Sequence, residues 1–352
     1  MTCPVGAVAI RVGAIVLAEG SNARRRGYRR VFGGRNVKAM PRSGLLSPRT
    51  LVRKFMPGAG PVPIGPGRSA PHRLKTFGRQ VVPLGRIGSL EVRLARSARE
   101  IRKAQELRYH VFYEEMSALA DAETQALRRD FDPFDAICDH LLVVDHDHLE
   151  RVKPFARKKP QVVGTYRLLR QEVANLYDGF YTTGEYDLQP LIDAHSDLRF
   201  LELGRSCVLK PYRNKRTVEL LWHGIWSYVL LNRIDVMIGC ASMEGTDPDR
   251  LAPQLSFLHH FARAPEDWRV RAVDERYVEM NRIPKEAVDQ RQALRDLPPL
   301  VKGYLRLGAH IGDGAVIDHQ FGTTDVLIIL PVSALNERYV NYYGADASRY
   351  AS

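Results

Sequence analysis

Between Phe200 and Ala241 the chain spells a strand, a helix and a second strand with short connections, and that succession constrains its fold more than any other stretch. Phe200 to Leu209 is mostly apolar, interrupted by Glu202, Gly204, Arg205 and Ser206, as in a buried strand bent by a bulge at the glycine. Pro211 ends it. Val218, Leu221, Trp222, Ile225 and Val229 then recur at helical spacing, and Asp235 to Ala241 reads as strand again. Two strands joined through a crossover helix lie parallel, so this segment predicts one parallel pair. The backbone N–H groups of Lys215 to Val218 head the helix without intrahelical partners, and such donors favour phosphate.

Around this unit, Gly88 to Leu94 reads as a first strand and Ala98 to Glu114 as a helix with Ile101, Leu107, Val111 and Phe112 inward. Leu141 to Val144 and Val162 to Leu169 flank a basic loop around Arg157, Lys158 and Lys159 and are expected to pair antiparallel. Asp325 to Leu330 supplies a late strand. The expected class is α/β, a three-layer fold with a mixed central sheet flanked by helices.

Charge divides the chain. Residues 1 to 80 hold 16 Lys/Arg against the single acid Glu19, so the formal net charge of +12 belongs to this arm. The same arm carries 12 of the 27 glycines and 8 of the 21 prolines, too little apolar content to offset chain entropy. The expected organisation is a disordered basic arm over 1–85, a folded domain over 86–335 and a tail over 336–352. A solvated extension, attraction of Arg24, Arg25, Arg26, Arg29 and Arg30 to anionic membrane lipid, and nonspecific nucleic-acid binding all remain open for the arm. No specific nucleic-acid motif is present, and no stretch is long enough to span a bilayer. Cys3, Cys138, Cys207 and Cys240 form no CxxC pair, which fits a reduced cytoplasm, with peripheral contact at the inner membrane face as a further expectation.

Strand, polar turn and helix at Leu201 to Thr217 resemble the central motif of the GCN5-related N-acetyltransferase (GNAT) superfamily, a strand followed by Arg/Gln-x-x-Gly-x-Gly/Ala and a helix. Where that motif has glycines, the run Pro211-Tyr-Arg-Asn-Lys-Arg-Thr217 places Asn214 and Arg216. Glycine allows close approach to a pyrophosphate. Its loss points from coenzyme A to the phosphopantetheine thioester of acyl carrier protein, whose acidic surface Arg213, Lys215 and Arg216 would complement. Asn214 and Thr217 complete this expected donor site, and no other cofactor is implied.

Further segments narrow the likeness. Leu107-Arg-Tyr-His-Val-Phe-Tyr-Glu-Glu-Met116, Asp130-Phe-Asp-Pro-Phe-Asp135, Cys138-Asp-His-Leu-Leu-Val-Val-Asp145 and Glu202-Leu-Gly-Arg205 are similar, in this order, to the acyl-homoserine lactone synthases. Tyr181-Thr-Thr-Gly-Glu-Tyr-Asp187, Glu219-Leu-Leu-Trp-His-Gly-Ile-Trp226, Gly303-Tyr-Leu-Arg-Leu-Gly308 and Phe321-Gly-Thr-Thr-Asp325 are similar to the ornithine N-alpha-acyltransferases. The resemblance spans about residues 86 to 332. It implies transfer of a 3-hydroxyacyl chain from acyl carrier protein to the α-amine of L-ornithine, giving lyso-ornithine lipid.

Amide synthesis from a thioester needs a neutral amine, a place for the oxyanion and a proton for the leaving thiol. Glu202, in a strand expected to be central, is the candidate base, an acceptor ligand, or half of a structural ion pair with Arg205, the two sharing a face if Gly204 is bulged. The backbone N–H of Cys207 or Val208, freed by such a bulge, is the candidate oxyanion donor. The resemblance implies that Arg108, Phe112, Asp132 and Asp135 shape the acceptor pocket. Glu244 and Asp247, past the last strand of the crossover unit, are candidates for the distal amine.

Three other readings weaken on inspection. His140-Leu-Leu-Val-Val-Asp145 matches an HxxxxD signature, but an offset of five along a strand puts the two side chains on opposite faces and about 16 Å apart. Cys207 lies in an apolar strand with no His nearby in sequence and reads as structural. Asp145-His-Asp-His148 is expected to be solvated and no metal site is expected. The rival enzyme class is an acyl-homoserine lactone synthase, and the rival of another kind is a nonenzymatic nucleic-acid or membrane binder motivated by the arm.

Overall fold

The computed structural model describes residues 83–150 and 158–335. The arm up to residue 82, the loop through Arg157 and the tail from 336 onward lie outside the described residues. In chain order the elements are β1 (Gly85–Ile87), β2 (Leu90–Leu94), α1 (Ala98–Tyr109), α2 (Ala122–Leu127), β3 (Asp139–Glu150), β4 (Lys159–Arg170), α3 (Gln171–Ala174), α4 (Gln189–Ala194), β5 (Phe200–Val208), α5 (Lys215–Asn232), β6 (Val236–Glu244), α6 (Ala252–Phe261), α7 (Gln290–Asp296), α8 (Pro299–Leu307), β7 (His310–Asp318) and β8 (Thr323–Pro331). Eight strands form one sheet in the order β1-β2-β3-β4-β5-β6-β8-β7. Only β5 and β6 run parallel, as the crossover unit predicts.

Side-chain alternation along the strands gives the sheet two working faces. Leu141, Leu203, Met237 and Ile328 point to the face covered by α5, α6, α7 and α8, whose Ile225, Leu255, Ala293 and Val301 complete the larger core. Phe200, Val236, Ile238, Leu327 and Ile329 point the other way, under the segments carrying Phe180, Tyr186, Leu191 and Ala272. On that second face, α1 sets Ala104 against Leu142 and Val144. Fully burying one such aliphatic side chain contributes about 1.5–3 kcal/mol. The expected three layers are present.

Several elements depart from the sequence reading. The first strand is a hairpin, turning at Gly88, whose φ of +58° suits glycine. Ser97 caps α1 by accepting from the Glu100 N–H, but regular helix stops at Tyr109 and passes into a π-helical turn, His110–Glu115. Such turns recur at functional sites. Strand β7 and helices α6 to α8 had no counterpart in the sequence reading. The bulge in β5 sits one residue past Gly204: pairing with β4 slips between Arg167↔Gly204 and Thr165↔Cys207, and Arg205 takes a φ of +51°.

The parallel pair defines a cleft. β5 and β6 are in register only from Phe200↔Val236 to Glu202↔Ile238, and beyond that they diverge. Gly239 marks the vertex, since a Cβ there would lie 2.3 Å from the Leu203 carbonyl oxygen.

Candidate active site

Glu202 lies at the head of this cleft, 4% exposed. The 3-10 turn Tyr181–Gly184 presents its backbone to the carboxylate: Tyr181 N–H donates to Oε2 at 2.9 Å and Thr182 N–H to Oε1 at 2.7 Å, with the Thr182 hydroxyl also donating to Oε1. Burial pushes the Glu202 carboxyl up, and the Thr182 and Tyr181 donors only partly offset it. A carboxylate fixed by three donors and starved of water is a poised proton acceptor.

Arg205 is not its ion partner. The bulge turns its guanidinium to Asp132 at 3.3 Å and Asp130 at 3.4 Å, and Nη2 donates to the Tyr181 hydroxyl at 3.4 Å. It lies over the rings of Tyr181 and Phe321, 4.7 and 5.3 Å from their centroids. Holding a non-glycine residue in the left-handed region costs about 1–2 kcal/mol, and these contacts hold it there.

On the far side of β5, Leu209 donates to the Val163 carbonyl of β4 at 2.9 Å. Alternation turns the Cys207 N–H toward β4 as well and the Val208 N–H toward the opening cleft. Of the two candidate donors, only Val208 faces the cleft, and divergence of β6, not the bulge, leaves it there. Cys207 is fully buried, and burial pushes its thiol well up, which makes it unreactive.

Arg108, Asp132 and Asp135 come together, but as a brace. Arg108, 0% exposed, donates through Nε to Asp130 at 2.7 Å and through Nη1 and Nη2 to both oxygens of Asp135 at 2.8 and 2.7 Å. Arg167 of β4 pairs with Asp132 at 2.6 Å and with Asp135 at 3.5 Å. Burial pushes the Asp132 carboxyl up, but Arg167 and Arg205 outweigh it and hold it below its ordinary value. Asp132 and Asp135 also cap each other across the turn Pro133–Ala136. Phe112 packs with Leu107, Val111 and Cys207, edge-on to Phe321 at 5.6 Å. Arg108 and Asp135, expected to shape the acceptor pocket, spend their charge on each other and on Asp130 and Arg167.

At the head of α5, Asn214 is the N-cap and its side chain accepts from the Thr217 N–H at 3.1 Å. That occupies one donor expected for phosphate, the Val218 N–H is a second, donating to the Asn214 carbonyl at 3.2 Å, and Thr217 itself is fully buried. Arg213 does not face a partner surface. Its Nη2 pairs with Glu115 at 2.6 Å and its Nε donates to the Val208 carbonyl at 2.9 Å, tying the end of β5 to the π-helical turn. Lys215 is exposed beside Glu219, and Arg216, also exposed, donates to the Ile87 carbonyl at 2.8 Å. Of the three cations expected to meet a carrier protein, two remain on the surface.

Glu244 is exposed at the end of β6, and Asp247 is exposed in an ion pair with Arg250 at 3.3 Å. The buried acids on that side are others. Glu185, Asp318 and Asp325 bring one carboxylate oxygen each within 4.8 Å of one another. Burial, then Glu185, pushes the Asp325 carboxyl up to about 7. His140 and Asp145 part company as expected, His140 meeting the Asp135 carbonyl at 3.0 Å and Asp145 meeting Tyr212 at 2.8 Å.

The acetyltransferase (GNAT) domain model matches residues 107–223, from the last turn of α1 through the first half of α5. The L-ornithine N(alpha)-acyltransferase of Brucella abortus is 54% identical over 284 residues, 81% of this chain and 99% of that protein. That of Agrobacterium fabrum is 54% identical over 75% of this chain and 88% of its own length, and that of Rhodobacter capsulatus 42% identical over 72% and 95%. Identity at this level over nearly the whole of those proteins fixes the function class as well as the fold: the chain is a GNAT-fold acyltransferase and belongs to the L-ornithine N(alpha)-acyltransferase family.

Proposed function

We propose that this chain moves a 3-hydroxyacyl group from the phosphopantetheine thioester of acyl carrier protein to the α-amine of L-ornithine, forming lyso-ornithine lipid. The observation that carries the chemistry is the buried Glu202 carboxylate, set by Tyr181 and Thr182 at the head of a cleft along whose β5 wall the Val208 N–H lies. The α-ammonium gives one proton to Glu202, directly or through a water, and the freed amine attacks the thioester carbon. Charge developing on the carbonyl oxygen meets the Val208 N–H. The C–N bond forms and the C–S bond breaks, and the second proton leaving nitrogen goes to the departing thiolate. Asn214 at the N-cap and exposed Lys215 and Arg216 support a donor entrance at the head of α5.

Expression in a host that lacks ornithine lipids tests this. The expected result is a new amino-lipid that an O-acyltransferase converts further. Acylated homoserine lactone in its place would sink the ornithine assignment, and equal rates with acyl-coenzyme A would remove the carrier protein from the reading.

A further inference from the structure

Opposite the arginine brace, the carboxylate trio has more negative charge than the protein answers. Among the described residues, Arg276 is the one base in ion-pair contact with it, 3.4 Å from Glu185 Oε1. Glu185 is 4% exposed, and its other oxygen, Oε2, is buried with no N–H or O–H donor among the described residues, the weak thiol donor of Cys240 being the other group against this carboxyl. Leaving a buried charged acceptor unpaired is costly, more than the roughly 1–3 kcal/mol of a neutral group, so a buried orphan carboxylate oxygen points to a missing cation.

The trio is rigidly held and correctly placed. Tyr186, next to Glu185 and fully buried, donates to the Gly314 and Asp325 carbonyls at 3.0 and 3.2 Å, which pins Glu185's segment onto β7 and β8. Ladder register puts Glu202 opposite Ile238, Ser242 opposite Asp325, and Asp325 opposite Val316, so Glu202, Asp325 and Asp318 all project from one face of the sheet. Cys240 of β6, on the same face, spans the gap, its Sγ 4.0 Å from the Thr182 hydroxyl that donates to Glu202. Base and trio are thus one side chain apart along the cleft.

We propose that Glu185, Asp318 and Asp325 form the subsite for the side-chain ammonium of the acceptor amino acid, a reading that rests on ornithine as that acceptor. An ammonium carries three N–H donors, one for each carboxylate. A hard divalent cation would need water or bidentate carboxylates to complete six or more oxygens here, an outcome the test below separates from an ammonium. With the side-chain ammonium held here, the α-amine is left to face Glu202, which gives the trio a part in choosing which of two amines is acylated.

The test compares ornithine with norvaline, which has the same carbon chain and no distal amine, in the full-length enzyme and in Asp325→Asn, Glu185→Gln and Asp318→Asn, with thermal unfolding recorded on the same preparations. The ornithine-to-norvaline ratio of kcat/KM should drop by about 10²-fold in Asp325→Asn, chiefly through the KM for ornithine. Asp318→Asn, at a half-buried rim position, provides the same reading if the buried variants fold poorly. Equal losses on both substrates would make the trio structural and overturn the proposal. Stoichiometric retention of Mg²⁺, Ca²⁺ or Mn²⁺ by the wild type in equilibrium dialysis, lost in Asp325→Asn, would also overturn it in favour of a metal site. A wild type that acylates ornithine while its variants keep the ratio removes this subsite alone; a wild type that leaves ornithine unacylated removes the acceptor assignment with it.

Discussion

Two clusters of buried acids share the catalytic face of the sheet and treat charge in opposite ways. Beside β4, Asp130, Asp132 and Asp135 meet Arg108, Arg167 and Arg205, one base for each acid. Beside β8, among the described residues, Arg276 pairs with Glu185, while Asp318 and Asp325 meet only neutral donors such as Phe321 N–H and the Thr323 hydroxyl. The balanced cluster answers its charges within the protein and fixes the shape of the α1, β4 and β5 junction. The unbalanced cluster is the one proposed above to take a cation. Between them stands Glu202, satisfied by neutral donors and free to exchange a proton.

Removing Arg108 attacks this contrast hardest. Arg108→Met replaces the unbranched stem of the side chain but leaves Asp130 and Asp135 buried without their base, and breaking a buried pair in this way costs about 3–5 kcal/mol. Thermal unfolding should show a large loss of stability, with KM for ornithine nearly unchanged in whatever remains folded. The reverse pattern, a normal melting temperature and a lost affinity for ornithine, would return Arg108 to the acceptor pocket.

Glu202→Gln should cut single-turnover acyl transfer by about 10² or more, because an amide cannot take the proton. It also changes stability. The carboxylate accepts on both oxygens, so a glutamine would set an NH2 against either the Tyr181 or the Thr182 N–H, leaving a donor unpaired at roughly 1–3 kcal/mol. Rates are therefore compared per folded molecule. A folded variant with wild-type turnover would take Glu202 out of the mechanism.

What the sequence revealed, and what it hid, follows the same division. Short-range patterns were sufficient for β5, α5 and β6, since period and Pro211 are local signals, and the buried Glu202 stood out because it interrupts an apolar run. Arg108 looked like a functional residue because nothing near it in sequence announces Asp130 and Asp135, 22 and 27 positions away. The bulge was expected at Gly204 because glycine is the residue that bends most easily, whereas tertiary contacts to Tyr181, Asp132 and Phe321 force it onto Arg205. Glu185, Asp318 and Asp325 were missed for the opposite reason. Glu185 and Asp325 each lie in a segment that carries the family likeness, Tyr181 to Asp187 and Phe321 to Asp325, but only the pairing of β7 with β8 and the Tyr186 hydroxyl on the Gly314 and Asp325 carbonyls bring them together with Asp318. The signal available was the acid ending the second of these segments, at the start of an apolar strand.

Acid and base should unfold the two regions from different ends. Burial raises the Asp135 carboxyl, but Arg108 and Arg167 overcome this and hold it well below its ordinary 3.8, so the stability it brings is present above pH 3.8 and is lost as pH falls further. Asp325 goes the other way. Burial, then Glu185, lifts it to about 7, with Ser242 and Thr323 opposing. The unfolded chain releases that proton near 3.8 while the folded chain keeps it, so stability drains away as pH rises from about 4 through 7. Asp325→Asn should come level with the wild type near pH 4 and gain on it in melting temperature as pH rises to 8, by roughly 2–4 °C for each kcal/mol so drained in a domain of this size. A wild-type profile unchanged by the substitution would show that the trio is not strained, and saturating ornithine should shrink the difference at pH 8.

The smallest effect belongs to the surface at the head of α5, where charge is exposed and screened. Lys215→Glu with Arg216→Glu should raise the KM for acyl carrier protein by several-fold to about tenfold at low salt and flatten its dependence on ionic strength, since rim charges act on encounter more than on the bound state. The KM for ornithine should not follow. Arg213→Glu is a different experiment, because Arg213 is tied to Glu115 and to the Val208 carbonyl. Reversing it puts two carboxylates together behind β5 and loosens the strand end that carries the Val208 N–H, so it should lower both the melting temperature and kcat. If Arg213→Glu instead changed only the carrier-protein KM, as the two exposed positions should, the buried tie would be dispensable and the contrast between matched interior charge and available surface charge would fail at this end of the cleft.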